Sequence, residues 1–339
     1  MKTPLIDFAN AATYAEAVGL TVAHPGQSIR PGEIHMADVA NDSRFGQAYF
    51  NEPMTNYAVG GWNKTDLEAE LQALCPELPA PRNFTYNSWV NSEAFLTDSD
   101  DSRAIGADFK RVEYTLTKAT GKTVNRGLII RLDMDEVALM PGWENMYTGM
   151  LLRRLKLNAI KRAYAIIDAA STNTGNAWST PGNTIDPDAD VRAGLKAAVD
   201  ASGLRPNTVV YGQTAWDLRF AAYRTDGNAA RYNASLMTPE QVAQTLAVSK
   251  VFSTETRYQS TATAKAEALG SKVLSFYQQP GASIEDPTNI KRFVTPTLSG
   301  GPVRAFRYQV SDKLIDIGIE HYELIVATYT GGVRKHTIT

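Results

Sequence analysis

The stretch from Gly142 to Ser171, GWENMYTGMLLRRLKLNAIKRAYAIIDAAS, constrains this chain more than any other. It holds no proline, and its glycines are Gly142 and Gly149. Leu, Met, Ala, Arg and Lys dominate it, and all are good helix formers. As one helix it would extend roughly 45 Å, at about 1.5 Å per residue. That is well beyond the usual globular helix of about 10–14 residues. Trp143, Met146, Tyr147, Met150 and Leu151 fall on one side of its first half. In the second half Ala159, Ile160, Ala163, Ile166, Ile167 and Ala170 recur at helical spacing. At about 100° per residue the second set lies nearly opposite the first. The change comes at Arg153, Arg154 and Lys156. The pattern predicts a rod with a different packing partner at each end; the alternative is a kink, or two helices, near Gly149.

With 339 residues the chain has room for one large domain or two to three small ones. A hydrophobic content of 43% suits a globular core, and a net charge of −2 gives no sign of a bulk nucleic-acid binder. One cysteine, Cys75, excludes an intramolecular disulfide framework and a Cys-rich metal site. No run of about 18 apolar residues is present to span a membrane. The first twenty residues hold one lysine, with Asp7 and Glu16 among them, which makes a poor signal peptide. The expectation is a soluble protein that stays in the cell where it is made.

Residues 1–80 are broken by Pro25, Gly26, Pro31, Gly32, Pro53, Gly60 and Gly61. Short helices are predicted over Pro4–Val18 and Thr65–Leu74, the latter with a capping box from Thr65 to Glu68. An arm with no core of its own must lie on something else or be disordered; the expectation is an arm lying across a neighbouring molecule. Residues 83–118 predict a long hairpin with a polar tip at 99–108; along its return strand Val112, Tyr114 and Leu116 share one face. Such a ribbon is marginal alone in water, so it too needs a surface. A turn, ATGKTVNRG, leads to the strand LIIRL (128–132) and the acidic DMDE (133–136). After the rod comes a polar loop. A compact α/β section follows, with helices over Asp188–Ser202 and 213–223, a strand at 207–212, and a helix capped by Thr238, Pro239 and Gln241. The tail from Pro302 is nearly all strand. Ile315, Ile317 and Ile319 alternate with Asp316, Gly318 and Glu320, and ELIVATY is apolar in both phases, as in a strand covered on both faces. LIIRL is its natural partner. The fold class is α+β.

Chemistry-bearing residues are sparse. None of the four histidines, His24, His35, His321 and His336, stands in a metal-binding spacing. There is no GxSxG, P-loop or GxGxxG. DMDE and the SDDS at 99–102 read as helix-terminal and hairpin-tip acids, and DPDAD (186–190) as a helix N-cap. Cys75 has no basic neighbour in sequence to activate it. No catalytic, cofactor or metal residue is therefore assigned. Arg153, Arg154, Lys156, Lys161 and Arg162 form the one basic cluster on a helix. They suit nucleic-acid phosphates, acids on a neighbouring subunit, or a solvated face.

The order of arm, long hairpin, long helix, α/β lobe and returning strands resembles the major capsid proteins of tailed bacteriophages, the Hong Kong 97-type fold. LIIRLDMDEVALMPGWENMYTGMLLRRLKLNAIKRAYAIIDAAS is similar to that family's strand, acidic segment and spine helix. LRPNTVVYGQTAWDLR is similar to a strand and helix of its axial domain, and VRAFRYQVSDKLIDIGIEHYELIVATYTGGVRKHTI to its closing strands. The resemblance implies an N-terminal arm (1–80), an extended hairpin or E-loop (81–127), a peripheral domain with the spine helix (128–185 and 301–339), and an axial domain (186–300). It implies a non-enzymatic virion protein without cofactors. Its partners would be copies of itself, with separate scaffolding, portal and decoration proteins, and packaged double-stranded DNA. Val112, Tyr114, Leu116 and the basic cluster are then candidates for subunit or DNA contact. The alternatives are an encapsulin-like compartment shell, another phage structural part, or a soluble α+β enzyme with its site in 186–300.

Overall fold

The structure is a computed structural model that describes residues 21–23, 33–35, 51–62, 66–89, 96, 98, 101–103, 105–106, 108–109, 111, 116–179, 185–224, 229–279, 281 and 283–339. Two short strands, β1 (Thr21–Ala23) and β2 (Glu33–His35), pair in parallel. The helix expected over Pro4–Val18 lies outside the described residues.

Two helices follow, α1 (Glu52–Trp62) and α2 (Asp66–Leu74). They correct the expectation of an arm without a core. Met54, Ala58 and Trp62 of α1, and Leu71 and Leu74 of α2, are buried inside their own chain. The helical spacing is present in the sequence, but Gly60, Gly61 and Pro53 mask it. Thr65 of the expected capping box lies outside the described residues, and Glu68 uses its carboxylate on buried cations instead.

Strand β3 (Glu77–Pro79) leads to the hairpin of β4 (Asn83–Trp89) and β5 (Leu116–Lys122), paired from Asn83↔Lys122 to Trp89↔Leu116. The return strand thus runs straight through ATGK, where a turn was expected. Gly121 is not a turn glycine. A Cβ there would lie 2.7 Å from Cζ of Phe84, whose ring occupies that space. The hairpin root also lies on its own chain. Phe84 and Tyr86 pack on Phe293 with ring centroids 4.4 and 5.6 Å away, beside Leu324 and Val326.

Strand β6 (Val124–Asp133) ends where Asp133 caps a single turn, α3 (Met134–Val137), by accepting from the Asp135 amide. The rod, α4 (Trp143–Ala170), is one unbroken 28-residue helix. It begins at Gly142, whose φ of 71° is the left-handed conformation that glycine adopts freely. Thr148, Leu151, Leu152, Leu155, Lys156, Ala159, Ile160, Ala163, Tyr164 and Ile167 are buried, in an unbroken three–four spacing. The expected switch of faces is therefore corrected to a single stripe. Of the first-half set, Leu151 is buried and Trp143 and Tyr147 pack against the same core, while Met146 and Met150 are about half exposed. Lys156, read as the break, is the middle of the stripe.

Next along the chain are β7 (Thr172–Asn176), α5 (Pro187–Ser202), β8 (Thr208–Gly212), α6 (Gln213–Arg224), α7 (Ala229–Ser235), α8 (Pro239–Leu246), β9 (Lys250–Thr254), β10 (Arg257–Gln259), β11 (Lys265–Glu267) and β12 (Lys272–Phe276). Asp186 caps α5, and Thr238 and Gln241 form the expected capping box on α8. The chain closes with β13 (Ile290–Thr295), β14 (Arg304–Gln309), β15 (Leu314–Ala327) and β16 (Arg334–Ile338). β15 organises one sheet. β6 pairs along one edge as expected, with Ile317 opposite Ile130, while β14 and then β13 pair along the other, and β3 joins β13. The second half of β15 is covered on both faces, with Leu324 and Val326 under the hairpin root and Ile325 in the core beneath α4. The second sheet runs β7-β16-β12-β8-β9. Two expectations change here. The last strand joins this sheet rather than the sheet of β6, and the polar stretch after the rod contains β7. Thr, Asn and Gly suit β7 because it is a mostly exposed edge.

The helix stripe joins the two sheets. Leu151, Leu152 and Leu155 pack on Ile315, Ile317 and Ile319. Ala159, Ile160, Ala163 and Ile167 pack with α2 and with Val210, Leu274 and Phe276 of the second sheet. Each buried leucine or isoleucine contributes about 1.5–3 kcal/mol relative to exposure. Backbone approach is tightest at the end of β8, where a Cβ on Gly212 would sit 1.9 Å from the Gly270 carbonyl oxygen. Gly212→Ala should therefore lower stability in urea unfolding by about 1–3 kcal/mol or more. Gly60→Ala, in a helix with open space at its Cβ, should raise it by about 0.5–1 kcal/mol.

Candidate functional site

The ionisable groups concentrate under the long helix. Lys156 is fully buried. Its Nζ lies 3.2 Å from the centroid of the Trp62 ring and donates to Glu68. Arg292 of β13 donates to Glu68 Oε1 and Glu77 Oε2, each at 2.7 Å. Two cations thus meet two carboxylates, which satisfies the requirement that buried charge be paired. Burial works to raise the Glu68 carboxyl, but Arg292 and Lys156 outweigh it and hold it below its usual range. Burial pushes the Lys156 ammonium down to about 8, with Arg292 adding to the fall and Glu68 opposing it. Cys75, beside this cluster, is buried and its thiol is pushed up to about 12; it is no nucleophile.

One turn and a half further along, Arg162 donates to Glu323 Oε1 at 2.6 Å. Glu323 Oε2 lies 3.5 Å from His321 Nε2. Burial works to raise Glu323, yet His321 and Arg162 hold it at about 2. In the α/β section, Arg219 forks onto Asp188 with two 2.8 Å bonds, and Tyr223 donates to Asp186 at 2.7 Å. His336 is buried, 2.9 Å from Asn176, and burial lowers it toward the neutral form. These groups are committed to one another, which suits holding a fold together. Among the described residues no group of three or more His, Cys, Asp or Glu could hold a metal.

The expected basic cluster is split. Arg153 and Arg154 are exposed and form no ion pair with a described residue. Lys161 is exposed, with Nζ 4.0 Å over the Tyr258 ring. Lys156 and Arg162 leave the surface set, because each pairs inside the chain with a carboxylate far away in sequence, Glu68 and Glu323. Val112 and Tyr114 lie outside the described residues, and Leu116 is placed as the first backbone position of β5. What sequence reading missed is an exposed apolar set. Leu139 (93 % exposed) and Met140 precede α4, Met146 and Met150 lie one turn apart on its outer side, and Ile105 and Phe109 stand out near the hairpin tip. Of this set, Met146 and Met150 were legible as a packing face, with the partner left open between the chain's own sheet, a different lobe and a neighbouring subunit.

No family model and no curated protein matches the sequence. Solved structures do match. A phage-related protein of Bordetella bronchiseptica RB50 superposes with a TM-score of 0.63 at 17% identity, over 86% of this chain and 98% of that one. A chain described as the capsid protein of a prophage of E. coli CFT073 gives 0.50 at 12%, over 84% and 99%. The chain has a phage capsid fold. A chain of Mycobacterium phage Bobi also shares it, at a TM-score of 0.51 and 10% identity, over 79% of this chain and 90% of that one. In this fold the long helix packs on both sheets, and the hairpin root lies on Phe293, Leu324 and Val326 of the β15 sheet.

Two outcomes test the ionic groups. Glu68→Ala strips Lys156 and Arg292 of a shared carboxylate and should cost about 3–5 kcal/mol in urea unfolding. Glu323 sits at about 2 in the fold against an ordinary 4.5. Its contribution is full above pH 4.5 and fades as the pH falls towards 2. The fall in unfolding free energy across that window should be flatter in Glu323→Gln than in the wild-type chain.

Proposed function

We propose that this chain is the major capsid protein of a tailed phage, assembling into pentamers and hexamers of an icosahedral head that encloses double-stranded DNA. The observation that carries this reading is the capsid fold shared along most of the chain. The exposed apolar residues support it. Leu139, Met140, Met146, Met150, Ile105 and Phe109 are a liability on a free molecule, and copies of the chain would cover them. Repeated heterologous contacts that close give rings, and many weak ones give a stable shell.

In this reading the described body divides as the family's does. Residues 1–80 are an N-terminal arm, of which 51–80 is fastened to the body by its own core. Residues 81–127 form the E-loop, rooted on Phe293. The peripheral domain, expected over 128–185 and 301–339, keeps the long helix, β6, β14 and β15 and gains β13; the axial domain, expected over 186–300, gains β7 and β16. Val112, Tyr114 and Leu116 belong to the part of the E-loop that meets a neighbour. Arg153, Arg154 and Lys161 are available to a neighbour's acids or to packaged phosphates, through charge alone. The protein would be made in the host cytoplasm and end in the virion. It would work without catalysis, alongside separate scaffolding, portal and decoration proteins.

Sizing chromatography with negative-stain microscopy of the purified chain tests this reading. Uniform hollow particles, or rings of five and six, are expected. A monomer that stays compact across concentration, salt and crowding agents would overturn it.

A further inference from the structure

A cavity of about 270 Å³ opens between β6, α4 and β15. Arg126 of β6 stands directly opposite His321 of β15 in the ladder, so both side chains leave the sheet on the same face, the face that α4 covers. Arg162 and Asn158 reach the cavity from α4. His321 is fully buried and lines it. The imidazole Nε2 is near Glu323, but Nδ1 has no hydrogen-bond partner. Arg126 Nε and Arg162 Nε are also buried without one. No described carboxylate pairs with Arg126, and Glu323, which holds the other end of Arg162, does not line the cavity.

A buried donor without an acceptor is costly, at about 1–3 kcal/mol. Here two such donors, the Nε–H groups of Arg126 and Arg162, lie at one space, with the His321 ring beside them. Two guanidiniums in one wall also repel, and burial together with Arg162 lowers the Arg126 pKa. A single anion between them would accept from the unmatched donors and screen the repulsion. The guanidinium fork matches the oxygen spacing of carboxylates and phosphates.

We propose that this cavity binds one small oxyanion, held by the guanidiniums of Arg126 and Arg162 beside the His321 ring: free inorganic phosphate, or the carboxylate of an Asp or Glu from a second copy of the chain. The lining residues all come from one molecule, so phosphate uptake by the dissociated chain stands or falls apart from the shell reading; the carboxylate source alone rests on that reading. Asn158, exposed on α4 at the mouth, sets the approach.

The test is calorimetric titration of inorganic phosphate into the purified full chain at pH 7, with chloride at matched ionic strength. It is run on the dissociated chain and on any assembled form. One phosphate per dissociated chain is expected. Arg126→Gln and Asn158→Asp should each weaken binding at least tenfold; the second adds a carboxylate at an exposed position and leaves the fold intact by circular dichroism. Uptake by the dissociated chain and by particles supports a free ion. Uptake by the dissociated chain but not by particles supports a neighbour's carboxylate filling the site on assembly. No stoichiometric uptake by the wild-type chain, or equal uptake by the wild type and Asn158→Asp, overturns the proposal.

Discussion

One buried ammonium decides how this molecule is put together. Lys156 stands at the centre of the stripe by which the long helix meets the rest of the chain. An uncompensated charge at that depth would be intolerable. Glu68 from α2 and the Trp62 ring from α1 compensate it, and Arg292 from the β15 sheet shares the same carboxylate. The contact therefore does more than neutralise a lysine. It ties the two N-terminal helices, the rod and one sheet at a single point. On one side of it the helix packs on Ile315, Ile317 and Ile319; on the other it packs on α2 and the second sheet.

That arrangement separates what the chain completes for itself from what it leaves open. Most of its interior is completed from within: Lys156 and Arg162 of the helix have acids, and the hairpin root has Phe293 to lie on. Its outside is not. Large apolar side chains stand in solvent before the helix, along its outer turn and near the hairpin tip. A rigid body with unfinished margins is suited to repetition, because identical contacts can be made many times without each subunit refolding. The shared capsid fold and this distribution of exposed apolar surface point the same way.

Much of this was legible in the residues. Helix formers without proline marked the rod, alternating isoleucines marked β15 and its pairing with LIIRL, and the Asp186 and Thr238 caps appeared where their side chains required. Element order carried the fold likeness. The misreadings share one cause: they turn on partners distant in sequence. Lys156 reads as a break in a stripe unless Glu68, 88 residues away, is known to lie beneath it. Gly121 reads as a turn unless the Phe84 ring is known to need its space. Polar β7 reads as a loop unless β16 is there to pair with it. Among the candidate contact residues, the same blindness mixed Lys156 and Arg162, which serve the interior, with Arg153 and Arg154, which do not.

The central claim is that Lys156 and Glu68 act as a unit that makes the helix face continuous. A double-mutant cycle with Lys156→Met and Glu68→Gln, read by urea unfolding, tests it most directly. The account predicts a coupling energy of about 1–3 kcal/mol, the range for charged partners in contact. Additive effects, within about 0.5 kcal/mol, would show that the two residues do not depend on each other and would contradict it.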